Sequence, residues 1–218
     1  MSARLRERRA ERGAIEFEFP ESKIILDEEG TPVDIRPHES NTATRLIEDF
    51  MLIANETVAR EYCTRKIPFL YRTHEKPDRE KMEDALQLIR DLGIPVSKKG
   101  QDITPAEVQK ILQGLSGTEK EPLVSRLLLR SMSRAVYTTD CVGHFGLAAE
   151  YYCHFTSPIR RYPDLQIHRI IKDDLRGRLD RAGRLAGYRQ RLPEAAVRSS
   201  STEQRAQEVE RRTSEAEK

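Results

Sequence analysis

The chain has 218 residues, enough for one large domain or two small ones, and its 37% of hydrophobic residues against 34% charged make a thin core for that length. Net charge is only +2, with 38 Lys and Arg against 36 Asp and Glu, so attraction to a polyanion has to come from clustered basic side chains. No window approaches about 18 uninterrupted apolar residues and no apolar stretch follows the basic opening, which excludes a membrane span and a secretory signal.

Three cysteines, Cys63, Cys141 and Cys153, are an odd number at wide spacing, a poor disulfide framework. They point to a reducing compartment, the cytoplasm. In chain order, a charged amphiphilic segment to about Glu11 is followed by Ile15 to Phe19, whose period-2 alternation predicts a strand ended by Pro20. Residues 23–27 and 32–35, separated by Gly30, predict two short strands, so the first 40 residues are expected to form a small β element.

From Asn41 the period changes. Leu46, Ile47, Phe50, Met51, Ala54 and Val58 recur at helical spacing, predicting a long helix to about Cys63 with Asn41 or Thr42 as its cap. Pro77 and Gly93 bound another helix, with Asp78 as its cap and Met82, Leu86 and Ile89 as its apolar stripe. A capping box at Thr104 and Glu107, with Pro105 at the first helical position, starts the next, and Pro122 starts one more. Between Thr138 and Pro158 the helical period is lost around the aromatic stretch 151–155, which reads as strand or ordered loop. Pro163 then opens a helix with Leu165, Ile167, Ile170, Ile171 and Leu175 on its apolar side. Residues 1–180 are thus expected to form the folded body and 181–218 a charged tail, either a docked amphipathic helix or partly disordered.

Chemistry concentrates late in the chain. Arg160 and Arg161 sit on a turn just before a helix N-terminus, where guanidinium forks and oriented backbone N–H groups suit a phosphate. The plainer reading is that one of them pairs with Asp164. Cys141, His144, Cys153 and His154 invite a zinc reading, but no CxxC or HxxxH spacing supports it. His74 and His168 suit structural or ligand-contacting roles better than a general base.

His144-Phe-Gly-Leu, then Phe155-Thr-Ser-Pro-Ile-Arg-Arg-Tyr-Pro-Asp-Leu with His168 and Arg169, resembles the signature of the ribonuclease II and ribonuclease R family. The resemblance extends to Arg12-Gly-Ala-Ile-Glu-Phe17, Leu46 to Asn55, Tyr71 to Pro77 and Leu128 to Met132, in the family's order, and weakens after about Asp173.

That resemblance implies an α/β mixed (α+β), predominantly helical fold, part of a ribonuclease II catalytic domain with a short amino-terminal β element. It implies 3′ to 5′ hydrolysis of single-stranded RNA to nucleoside 5′-monophosphates at a Mg2+-dependent site, with no DNA substrate and no membrane partner. It matches Arg160 to the arginine on the scissile phosphate, Phe17 to a base-stacking aromatic, and Glu48 and Glu210 to carboxylates beside nucleotides in the channel. Arg161 and Tyr162 become neighbouring RNA contacts. On composition alone, Phe17 reads as a core residue and the two glutamates as solvated helix faces.

The departure from the family is the aspartate cluster that holds its two metal ions, in the spacing Asp, five residues, Asp, one residue, Asp-Asp. Asp78 and Asp84 have the first interval, but Leu86 and Gln87 stand where the pair should be, and Asp173-Asp174 has no upstream partners. No metal ligand is therefore assigned in this chain. The sequence reads as the carboxyl-terminal half of the catalytic domain, inactive alone and partnered by the missing amino-terminal half, or else as a non-catalytic RNA-binding or regulatory module of the same descent.

Overall fold

A computed structural model describes residues 1–17, 22–37, 41–96, 103–179 and 183–216. Seven helices and four short strands are named among them: α1 Ser2–Arg12, β1 Ser22–Leu26, β2 Pro32–Pro37, α2 Thr42–Thr64, β3 Tyr71–Thr73, α3 Arg79–Asp91, α4 Pro105–Gln113, α5 Glu121–Ser131, β4 Val136–Thr138, α6 Tyr162–Leu175 and α7 Arg184–Ala216. The fold is α/β and predominantly helical, as the sequence predicts. None of the described helices is long and apolar enough to cross a membrane.

Local chemistry accounts for most of the boundaries. Asn41 caps α2 by accepting from the Ala43 and Thr44 amides, Asp78 caps α3 through Glu80 and Lys81, and Thr104 and Glu107 complete the capping box of α4. β1 and β2 pair antiparallel around a turn in which Asp27 accepts from the Glu29 and Thr31 amides and Gly30 takes φ 83°. The expected strand at residues 15–19 is absent from its described part. Residues 14–17 are irregular, and the Ile15 amide donates to the Gly146 carbonyl at 2.8 Å, so the segment anchors a distant loop instead of a sheet. Residues 18 and 19 lie outside the described chain.

Two apolar centres organise the body. One gathers Tyr62 of α2, Phe69, Tyr71 of β3, Cys153, Ile167 and Ile170 of α6, and Tyr188, Leu192 and Ala196 of α7. The other is built by α3, α4 and α5 around Met82, Leu86, Ile89, Val108 and Leu128, with Ile15 and Phe145 inserted. β3 and β4 form a two-stranded antiparallel ladder, extended by single bridges of His144 to His74 and to Ala149.

The first half of helix α2 turns its predicted apolar stripe outward, while Val58 of the same stripe packs against the core. The buried residues are Asp49, Asn55, Ala59 and Tyr62, while Leu46, Ile47, Phe50 and Met51 are 42%, 57%, 39% and 37% exposed. Polar anchoring decides this. Asp49 is 1% exposed and receives Ser2 Oγ at 2.5 Å, Arg6 at 2.8 Å and Arg9 at 2.8 Å, which docks α1 on α2. Asn55 accepts from the Phe155 amide at 3.0 Å, donates to the Tyr152 hydroxyl at 3.3 Å, and offers its carbonyl to the Cys153 thiol. Satisfying a buried carboxylate and amide this fully outweighs turning the apolar stripe inward.

Candidate nucleic-acid interface

Residues 155–164 make the turn that leads into α6. Asp164, fully buried, accepts through Oδ1 from the Ser157 amide and from Arg161 Nη2, each at 2.8 Å, and so closes the turn. Arg161 stands at the N-cap position of α6 without a side-chain capping bond, and Pro163 lies in the first turn. The two arginines are thereby divided. Arg161 is held against Asp164, as the plainer reading expects, whereas Arg160 is exposed and has no ion-pair partner among the described residues.

Arg160, Arg161, Tyr162 and Pro163 form one wall of a cleft of about 900 Å³. α7 supplies the other through Arg191, Glu194, Arg198, Thr202 and Glu203, with Tyr137 at the floor. Tyr137 is fixed from three directions. Its hydroxyl bonds His154 Nδ1 at 2.8 Å, the Arg72 guanidinium lies 4.7 Å from its ring centroid, and its amide donates to Ser200 Oγ at 2.9 Å. Arg72 is in turn held by Glu203 at 2.6 Å. Four guanidinium groups therefore line a trough with an aromatic floor, a surface suited to an anionic polymer.

Behind the cleft runs an array of edge-to-face rings, His74 to His144 to Tyr152 to His154 to Tyr137, with centroids 5.0 to 5.8 Å apart. Burial, reinforced by His74 and Arg72, pushes His144 down to about 3, and burial, reinforced by Arg161 and Arg72, pushes His154 down to about 3. Both are neutral at physiological pH. His74 Nδ1 accepts from the Gly146 amide at 3.1 Å and His144 Nδ1 from the Leu147 amide at 3.2 Å, so both rings shape the loop at 143–149. Gly143 at φ 85° is required there, because a Cβ would stand 2.9 Å from the Ala149 carbonyl oxygen. His168 stacks on Phe155 with centroids 4.5 Å apart and bonds its carbonyl through Nε2 at 2.9 Å.

The other residues singled out by sequence lie elsewhere. Phe17 is half-buried against the α3–α5 core, Glu48 is exposed on α2, and Glu210 is exposed on α7 beyond the cleft-lining segment. Sequence reading missed Tyr137, Arg191 and Arg198. The last two are seven residues apart, nearly two helical turns, and that spacing on a basic helix was the available signal. Asp173 and Asp174 are structural: Asp174 receives Arg65 at 2.6 and 2.7 Å and the Tyr62 hydroxyl at 2.8 Å, and Asp173 receives Tyr188 at 2.8 Å. Among the described residues no group of three His, Cys, Asp or Glu side chains is placed to hold a metal ion. They do not fit the metal site that the family resemblance implies, and the zinc grouping at Cys141, His144, Cys153 and His154 is not assembled either.

The fold and the Phe155–Leu165 turn define an RNB domain: residues 1–177 match the family model of that description. The chain belongs to the RNB-domain family of ribonuclease II and ribonuclease R. It is 50% identical to ribonuclease R of Aquifex aeolicus over 173 residues, 79% of this chain and 24% of that protein. It is 42% identical to ribonuclease R 1 of Lactococcus lactis over 203 residues, 93% of this chain and 25% of that one. Mycoplasma genitalium RNase R, solved in complex with ribose methylated single-stranded RNA, superimposes with a TM-score of 0.91 at 30% identity, covering 97% of this chain and 33% of the other. Yeast Ssd1, described as a pseudonuclease, matches with a TM-score of 0.55 at 27% identity over 62% of this chain and 17% of its own. The chain thus spans about a quarter of the length of the curated relatives it matches.

Proposed function

We propose that this chain is part of a 3′ to 5′ exoribonuclease acting on single-stranded RNA and releasing nucleoside 5′-monophosphates in the cytoplasm. The observation that carries the reading is the division of the arginine pair: Asp164 immobilises Arg161 and the turn, leaving Arg160 exposed on the wall of the basic cleft. Arg160 is the residue that meets the scissile phosphate and offsets charge developing there. Arg161 and Tyr162 line the RNA path beside it, Phe17 stacks on bases towards the 3′ end, and Glu48 and Glu210 contact nucleotides along the same path. Binding of RNA by the similar Mycoplasma genitalium enzyme supports the choice of ligand.

The Mg2+ ions of this reading are held by carboxylates outside the described residues, on the amino-terminal half of the catalytic domain. That half is the partner, and the exposed stripe Leu46, Ile47, Phe50 and Met51 is where it packs. An apolar face this size, opposite a buried polar one, suits a partner with an apolar surface of its own. Substituting Phe50→Asp should weaken assembly of the two halves at least tenfold while leaving the chain folded, as measured by titration calorimetry; unchanged affinity would place the partner elsewhere.

The direct test incubates the purified chain with magnesium and a 5′-labelled single-stranded RNA, with and without the separately expressed half, and with a chelator control. Chelator-sensitive shortening from the 3′ end that requires both pieces is the expected result. In the reconstituted enzyme Arg160→Lys should lower turnover far more than RNA affinity, since the charge remains but the bidentate fork is lost; equal losses would remove the assigned role. The second reading is a non-catalytic RNA-binding module, favoured by the lack of a metal-ligand cluster among the described residues and by the likeness to a pseudonuclease. Retained RNA binding with no rescue by the other half would select it.

A further inference from the structure

Helix α6 sorts its charges. Its carboxylates are all engaged within the fold: Asp164 by Arg161 and the Ser157 amide, Asp173 by Tyr188 at 2.8 Å and Arg184 at 3.5 Å, and Asp174 by Arg65 and Tyr62. The cations Arg169, Lys172 and Arg176, the last at the C-cap position, are exposed and take no ion pair among the described residues. At about 100° per residue, positions 162, 165, 169, 172 and 176 fall within about 80° of one another around the helix axis. The three cations therefore share one solvent-facing stripe, and Tyr162, 53% exposed on the wall of the basic cleft, stands at its head. At about 1.5 Å per residue the stripe runs about 21 Å from the cleft to the end of the helix. Attraction of cations to the helix C-terminus accounts for Lys172 and Arg176 but not for Arg169, which lies near the middle of α6. In a chain whose net charge is only +2, a face of one sign arises by placement and not by composition.

We propose that this stripe is an outer rail for RNA, gripping by its phosphates the part of the strand that lies outside the cleft. The cleft, at about 900 Å³, has the size of a small-ligand site, so a longer RNA seated at Arg160 has to continue beyond its rim. The stripe begins at that rim. Guanidinium and ammonium groups are donors without acceptors, which suits phosphate oxygens and reads no base, so the rail holds a strand of any sequence. The Tyr162 ring at the junction gives a base a surface to stack on. RNA is chosen over an acidic protein because the cations are continuous with the cleft, a choice that rests on reading the cleft as an RNA site.

The experiment measures fluorescence anisotropy of 5′-labelled oligouridylates of about 4 and about 16 nucleotides with the full chain, in chelator and between about 50 and 200 mM KCl. The combined variant Arg169→Gln, Lys172→Gln, Arg176→Gln should bind the long RNA at least about tenfold more weakly at the low-salt end. It should also flatten the slope of log affinity against log salt by about 2, three lost contacts at roughly 0.7 each. Affinity for the short RNA and the urea midpoint should stay native in this variant, whereas Arg160→Gln should weaken both lengths. An unchanged salt slope, or equal losses for the two lengths, would overturn the rail. Poly-glutamate binding as tightly as the long RNA, and lost in the same variant, would reassign the stripe to an acidic protein. Binding of the long RNA alone, abolished by the combined variant, would keep the rail and remove the cleft as an RNA site. Binding of neither length would remove both.

Discussion

Asp164 shows how a single buried carboxylate sets the geometry of a surface site. Oδ1 takes both of its hydrogen bonds, from Ser157 and Arg161, while Oδ2 and Arg161 Nε are buried and make no further bond among the described residues. The pairing therefore has little redundancy, and the turn that presents Arg160 depends on one oxygen atom. Removing one member of a buried pair leaves the other charge uncompensated, which costs about 3 kcal/mol or more. Asp164→Ala is accordingly expected to lower the unfolding free energy by about 3 kcal/mol in urea titrations and to weaken RNA binding through loss of the turn. Arg161→Met, which keeps the packing but leaves the fully buried Asp164 carboxylate with the Ser157 amide alone, should cost a comparable amount. A clearly smaller cost for Arg161→Met than for Asp164→Ala would make the Ser157 bond, and not the ion pair, the dominant anchor.

At the scale of the elements, α1 is held almost wholly by charge. It has no buried residues of its own, and its Ser2, Arg6 and Arg9 converge on Asp49, while Arg12 forms a two-pronged pair with Glu56 at 2.8 Å. Asp49→Ala should free α1 without unfolding the body, seen as faster amide exchange in residues 2–12 and easier tryptic cleavage there, with α3 to α5 unaffected. Protection that stays native in α1 would mean that the Arg12–Glu56 pair suffices. The sequence made the helix starts at Asn41, Asp78 and Thr104 legible because a cap is a contact between neighbours in the chain. It hid the inward face of α2, whose anchors for Asn55 come from about 100 residues away at Tyr152 and Phe155. β3 and β4 were equally hidden, since three residues hold too little alternation to register as a period. The candidate site was half legible: the arginine pair shows in a local pattern, whereas Tyr137, Arg191 and Arg198 join it only through tertiary packing against α6.

For the molecule as a whole, the histidine array makes acid a folding variable well before the carboxylates titrate. His144 and His154, both pushed down to about 3, lie in the folded chain far below the ordinary value of 6.5. A base whose pKa is depressed by folding binds fewer protons when native than when unfolded. Its contribution is therefore fully present above pH 6.5 and is lost progressively as pH falls from there towards 3. Between pH 6.5 and pH 5 the native rings stay neutral while the unfolded ones take up protons, which costs about 2 kcal/mol for each histidine. Asp49 and Asp174 are shifted below the usual carboxylate value of 3.8, by Ser2, Arg9 and Arg6 acting against burial in the first case and by Arg65 in the second, so their stabilisation fades only at lower pH. The two effects thus separate on the pH axis. Urea midpoints measured between about pH 7.5 and pH 5 should fall steeply below 6.5, and His144→Gln, which keeps an acceptor for the Leu147 amide but cannot titrate, should remove part of that slope and leave the share of His154 and of His74, which burial also lowers. A flat profile down to pH 5 would mean that the array admits protons, because a charged His144 would turn its Nδ1 acceptor into a donor facing the Leu147 N–H and the loop at 143–149 would have to rearrange to accommodate it.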